Sequence, residues 1–187
     1  MPHDATQTNA RPRYGRAMAR LLIVHHSPTP GVTRLSEAVA AGARDDAIEG
    51  VEVTVRGALE AASEAGADEL RTADGVLLVT PANFGYMSGA LKHFFDTVFL
   101  HAGGALADDG SGDAGGGAGG PKRPFGLVVH GRYDTTGAVR SVLSIAGALP
   151  WRQAAPTLEV LGDVTDADVG AAYELGATVS ALTAESG

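Results

Sequence analysis

The sequence predicts an α/β domain built on a parallel sheet with helices on both faces. Three observations predict it. From residue 20 onward, strand-like apolar runs alternate strictly with helix-periodic segments, as in repeated β-α units. The runs "RLLIVHH" (20–26), "GVLLVT" (75–80) and "FGLVVHG" (125–131) lack a polar alternate face, as expected of strands buried on both sides. At 187 residues and 44% hydrophobic content, the chain can fill one core of this kind.

Each element follows in order. Residues 1–17, "MPHDATQTNARPRYGRA", are polar and aperiodic. They are assigned as a disordered tail, either a genuine extension or an over-extended start, since Met18 stands just before the first strand. The domain itself is assigned to 18–187. The first strand is 20–26, and 32–45 is a helix with Leu35, Val39 and Gly42 on one face. Residues 51–56, "VEVTVR", alternate as a strand, 69–73 close a short or irregular helix, and 75–80 form the third strand. Met87, Ala90, Leu91, Phe94, Phe95, Val98 and Phe99 then recur at helical spacing, which predicts an amphipathic helix against the sheet. The fourth strand is 125–131 and the next helix 135–149. The fifth strand is 155–162, and a last helix over 165–184 opens at an N-cap Thr165 or Asp166. The total is five strands and five helices. Residues 102–120 carry nine glycines in 19 positions, too little apolar surface to order themselves. They are assigned as a flexible insertion that follows the third helix, on the sheet edge away from the ligand side.

Composition narrows the function. With no cysteine, disulfides, thiolate metal sites and cysteine nucleophiles are excluded. No run is long enough to span a bilayer, so no membrane insertion is expected, and no signal-peptide core opens the chain, so a cytoplasmic location is. A net charge of −8 argues against nucleic acid and anionic membrane as partners.

In a doubly covered parallel sheet, ligands sit beyond the carboxyl ends of the strands. Three loops lie there: 27–33, 80–88 and 131–135. The first, "SPTPGVT", brings Ser27, Thr29 and Thr33 hydroxyls and Gly31 to a helix N-terminus, where unsatisfied N–H groups favour an anion. It lacks a Walker lysine, so a single phosphate fits better than a triphosphate; a plain N-capped helix accounts for the loop equally well. The second, "TPANFGYMSG", holds two aromatics, Phe84 and Tyr86, where loops are ordinarily polar. Either a flat ligand lies against them, or they pack as core or against a subunit.

"SPTPGVTRLSEAVAAG" followed by "DGVLLVTPANFGYMSGALKHFFD" resembles the flavodoxin-like FMN-binding proteins, and is most similar to their NAD(P)H-dependent oxidoreductase and quinone-reductase branches. The family pattern is carried by Pro81, Phe84, Gly85, Met87, Ser88, Gly89, Leu91, Lys92 and Phe94, and "HGRYDTTG" from His130 matches the third FMN loop. The first loop is one residue longer than the usual form. The resemblance covers residues 20 to 182 and implies a flavodoxin-like three-layer sandwich with a five-stranded parallel sheet in the order 2-1-3-4-5. It further implies FMN contacts from Ser27, Thr29, Gly31, Val32 and Thr33 around the phosphate. Pro81, Ala82, Asn83, Phe84, Gly85 and Tyr86 would border the ring, with His130, Gly131, Arg132 and Tyr133 in the third loop. NADH or NADPH would be the co-substrate and a quinone or other small molecule the acceptor; a homodimer or homotetramer is compatible with the resemblance. No catalytic acid or base is implied, since flavin chemistry belongs to the cofactor and the protein orients it.

The remaining candidates weigh less. His25, His26, His93, His101 and His130 come from different elements without a ligand spacing, so no metal site is assigned. Arg132 either meets a cofactor phosphate or is solvated. Trp151 packs internally or at an interface. The Asp pairs at 45–46 and 108–109 suggest neither a magnesium site nor a hydrolase. Two functions remain: an FMN-dependent reductase, or a flavodoxin-type electron carrier whose acidity would dock a basic partner. A receiver domain is rejected, because His25, His26, Thr80 and Pro81 stand where it needs acids.

Overall fold

The computed structural model describes residues 18–102 and 122–186. Its strands are β1 (Ala19–His25), β2 (Val51–Gly57), β3 (Gly75–Asn83), β4 (Tyr86–Met87), β5 (Arg123–Gly131), β6 (Trp151–Gln153) and β7 (Leu158–Leu161). The helices are α1 (Pro30–Ala43), α2 (Ala58–Ala61), α3 (Glu64–Thr72), α4 (Gly89–Val98), α5 (Thr136–Gly147) and α6 (Asp166–Ser186). The sheet runs β2-β1-β3-β5-β6, with β7 also on β5 and β4 on β3. The 1–17 tail and nearly all of the glycine-rich segment lie outside the described residues. Ala102, assigned to that segment, is instead buried and donates its N–H to Val98, prolonging the end of α4.

The apolar runs do what their lack of alternation implied. Leu22 and Val24 of β1 face one core with Leu70, Leu91, Phe94 and Val142 of the helices, while Leu21 and Ile23 face the other with Leu35, Val39 and Val179. Three layers result: α1 and α6 on one face, α2 to α5 on the other. The helical row from Ala90 to Val98 is buried as its spacing required.

Three departures have physical causes. The fifth strand, expected over 155–162, is β7 alone, and an unexpected short strand, β6, precedes it. β6 pairs with Arg123–Phe125 and β7 with Val128–Gly131, both parallel; Pro156, which has no N–H to give the ladder, lies between them. The order 2-1-3-4-5 holds with β6 and β7 together in its last place. Second, Met87 is not helical: α4 begins at Gly89, capped by Ser88, whose Oγ accepts the Leu91 N–H at 3.2 Å. Third, the irregular helix is two helices, α2 and α3, with the Ser63 hydroxyl capping the second. Trp151 proves to be internal packing. It is 4% exposed, with ring centroids 6.4 Å from Phe95 and 5.7 Å from Phe125. At the start of α6, Thr165 Oγ1 accepts the Asp168 N–H while the Asp168 carboxylate accepts the Thr165 N–H at 2.8 Å, a reciprocal cap.

Candidate functional site: a cleft at the carboxyl edge of the sheet

The carboxyl ends of β1, β3, β5 and β7 open onto a cleft of about 510 Å³, within the range of small-molecule sites. Thr29, Gly31 and Arg34 line one wall, Pro81, Ala82 and Asn83 a second, and His130 and Arg132 a third. Gly162, Asp163 and Val164, from the loop after β7, close it. A larger cleft of about 630 Å³ lies between α4 and α5, with Tyr86 on its rim; it faces the side of the sandwich rather than the strand ends.

The first wall is the start of α1. Thr29 is the N-cap, with Pro30 at the first helical position, where a missing N–H is harmless. The next amide, Gly31 N–H, meets no protein acceptor among the described residues. Val32 is fully buried, and its N–H reaches Thr29 Oγ1 at 3.5 Å. Ser27 and Thr33 turn the other way. Ser27 Oγ lies 2.9 Å from His25 Nδ1 and donates to Ser36 Oγ at 3.0 Å, and Thr33 Oγ1 donates to Thr29 O at 3.0 Å. Both line a separate cleft with Ser36, Glu37 and Arg44 on the β2 side of α1. The cleft at the strand ends thus receives Thr29 and Gly31 but neither of the other two hydroxyls. His25 follows the odd positions of β1 into that second cleft; burial, with His26 beside it, holds its imidazole below the ordinary value of 6.5, against a smaller opposing effect of Glu60.

The second wall is a hairpin. β3 runs on through Asn83, and β4 returns antiparallel with Asn83 opposite Tyr86 and Ala82 opposite Met87. Phe84 and Gly85 form the two-residue turn with φ of 51° and 75°, the doubly left-handed geometry of a type I′ turn. Asn-Gly is the usual pair there; phenylalanine is not. Phe84 is wholly solvent-exposed and Tyr86 is 44% exposed. The base of the hairpin is fixed by buried Thr80, whose Oγ1 accepts the Ser88 N–H at 3.1 Å and donates to Pro81 O at 3.0 Å.

In the third wall, His130 Nε2 lies 2.8 Å from Gly162 O. A carbonyl only accepts, so in this contact Nε2 is the donor. Gly131 is buried, and its carbonyl accepts the Gly162 N–H at 2.9 Å, which locks the loops after β5 and β7 together. Tyr133 is 89% exposed beyond the cleft. Arg132 donates to Asp163 at 2.5 Å, and Arg34 to Asp166 at 2.8 Å. Both pairs are exposed, so water screens them and each releases its guanidinium to a better anion at little cost. Arg34, Asp163 and Val164 carry no loop motif; only the rule that every parallel strand's carboxyl end faces the ligand would have pointed to the loop after β7. Among the described residues no group of three or more His, Asp or Glu could hold a metal ion.

The model of the family described as NADPH-dependent FMN reductase matches residues 21–150. The chain belongs to that family. It is 35% identical over 95 residues to an NAD(P)H dehydrogenase (quinone) of Acidithiobacillus ferrooxidans, covering 42% of this chain and 46% of that protein. To a flavodoxin of Aquifex aeolicus it is 35% identical over 81 residues, 43% of this chain and 40% of the other. The chain thus spans about half the length of the curated relatives it matches. Among solved structures, an archaeal flavodoxin superposes with a TM-score of 0.67 at 14% identity, over 88% of this chain and 98% of the other. A WrbA-like flavodoxin from Agrobacterium tumefaciens gives 0.66 at 19%, over 90% and 99%. These two establish the flavodoxin-like fold expected from the sequence.

Proposed function

We propose that the protein is an FMN-dependent oxidoreductase that takes reducing equivalents from NADH or NADPH and delivers them to a quinone or another small acceptor. The observation that carries this is the unengaged Gly31 N–H at the start of α1, which shares the strand-end cleft with Asn83 of the hairpin, while Phe84 and Tyr86 stand exposed at and beside the turn that follows. Membership of the FMN reductase family supports it. The donor set fits FMN. A neutral hydroxyl and amide at a helix N-terminus suit one phosphate, and flat side chains on a rigid turn suit a ring system.

Thr29 and Gly31 bind the phosphate end, and Arg34 adds positive charge at the rim. Amides of the 83–85 turn donate hydrogen bonds to the ring edge, while Phe84 and Tyr86 shield it from water. Bound FMN supplies the hydride-accepting ring. His130, held by its Nε2 contact with Gly162 O, borders the ligand from the third loop, and Arg132 draws a dinucleotide phosphate when it leaves Asp163.

The test is a titration of apoprotein with FMN, followed by anaerobic addition of NADH or NADPH and then a benzoquinone. Saturable quenching of flavin fluorescence near one equivalent, bleaching by a dinucleotide and quinone turnover are expected. No flavin binding at micromolar concentration overturns the proposal. An electron carrier is the second reading, favoured by the net charge of −8 and the similarity to the Aquifex flavodoxin. It wins if bound FMN is reduced only by a separate reductase and never by a dinucleotide directly.

A further inference from the structure

The aromatic hairpin rests on a second element. A Cβ added to Gly137, in the first turn of α5, would stand 1.9 Å from the carbonyl oxygen of Gly85 and 3.1 Å from its carbonyl carbon. The backbone of the type I′ turn therefore lies directly on the opening turn of the helix. Its outer side is free, since a Cβ added to Gly85 would meet nothing within 4 Å. Gly137 does not line the strand-end cleft. Glycine is a weaker helix former than alanine, and α5 gains no N-cap side-chain bond from Thr135 to offset it. Instead Thr135, 4% exposed, donates its hydroxyl to Glu159 at 2.5 Å, and Asp134 caps Thr136 from outside the helix. The start of α5 is thus anchored from β7 and from its own preceding loop, and is a firm seat.

We infer that Gly137 is a positioning residue for the flavin-bordering hairpin, acting through the Gly85 carbonyl; this rests on the FMN reading above. The hairpin has two fixed points, Thr80 at its base and Gly137 under its tip. Any side chain at 137 pushes the tip outward. Ordinary contact begins at 3.4 Å, so the carbonyl must retreat by about 1.5 Å (3.4 − 1.9). That displacement shifts the turn amides and Phe84 relative to Asn83 and the cleft it lines. Misplacement of about 1 Å in a binding constellation can reduce function by ~10²-fold.

The experiment compares Gly137→Ala with Gly147→Ala and Gly170→Ala, two helix positions where an added Cβ meets nothing within 4 Å. With folding verified by circular dichroism, FMN dissociation constant, visible spectrum and midpoint potential of the bound flavin are measured. Gly137→Ala should raise the dissociation constant about tenfold or more and alter both spectrum and potential, while the two controls keep wild-type values. Binding, spectrum and potential unchanged in Gly137→Ala, beside a wild type that binds FMN, overturn this inference alone. A wild type that binds no flavin overturns the FMN reading and this inference with it. If Gly137→Ala does not fold, hydrogen exchange on the unmodified protein decides. FMN should slow exchange at 83–87 and 136–139 together, and slowing confined to 83–87 overturns the inference.

Discussion

Phe84→Asn should make the apoprotein more stable and the flavin complex weaker. Phe84 sits at φ 51° in a turn that Asn-Gly forms with little strain. A left-handed conformation raises the energy of an ordinary L-residue by roughly 1–2 kcal/mol, and asparagine recovers part of it through local hydrogen bonding. Because Phe84 is 109% exposed, its removal sacrifices no packing. The net gain is therefore about 1 kcal/mol, or a melting temperature higher by about 2–4 °C for a domain of this size. Against this stands the loss of a stacking face. By analogy with aromatic stacking on nucleic-acid bases, one such face contributes about 1–3 kcal/mol, which weakens FMN binding about 5- to 150-fold. Thermal denaturation of the apoprotein and fluorescence titration with FMN measure the two arms separately. An unchanged or lower melting temperature refutes the turn argument, and an unchanged dissociation constant refutes Phe84 as a flavin contact. Opposite signs would mean that the strained aromatic is kept for function at the expense of stability.

Other expectations follow from the same geometry. Thr80→Val strands the buried Ser88 N–H and should lower stability by about 1–3 kcal/mol in urea denaturation; a loss within experimental error would show that water satisfies that amide. The folded His25 imidazole titrates below 6.5, so between its two values the unfolded chain holds the extra proton. Its stabilising contribution is complete above pH 6.5 and lost as the pH falls through the folded value. His25→Gln should flatten the pH dependence of stability between pH 7 and 5, and an unaltered slope assigns the effect elsewhere. Arg132→Ala should raise the dinucleotide KM more than it lowers kcat. Asp163→Asn, which frees the same guanidinium, should lower that KM; steady-state kinetics in which both substitutions shift KM the same way rule out the clamp.

What the sequence determined by itself was everything that depends on local periodicity. Uninterrupted apolar runs become strands buried on both faces, and the row from Ala90 to Val98 becomes the buried stripe of a helix, because side-chain direction repeats every two or 3.6 residues whatever the rest of the chain does. The exposed rings of the 80–88 loop were legible too, since a loop has no periodic reason to hold two aromatics. Tertiary structure alone decided features that depend on partners distant in sequence. Phe84-Gly85 becomes a type I′ turn because Asn83 and Tyr86 pair and Gly137 lies beneath; the dipeptide lacks the asparagine that announces such a turn. That the short β6 also joins the sheet, pairing with one end of β5 while β7 pairs with the other, is seen only in the assembled sheet. Hydroxyl direction is likewise non-local. Ser27 and Thr33 look like phosphate ligands in the sequence, but the strand's alternation points His25 to the β2 side, and a network through Ser36 holds Ser27 with it. The loop at 162–164 enters the cleft only because β7 lies beside β5, which brings Asp163 to Arg132 across 31 residues of chain.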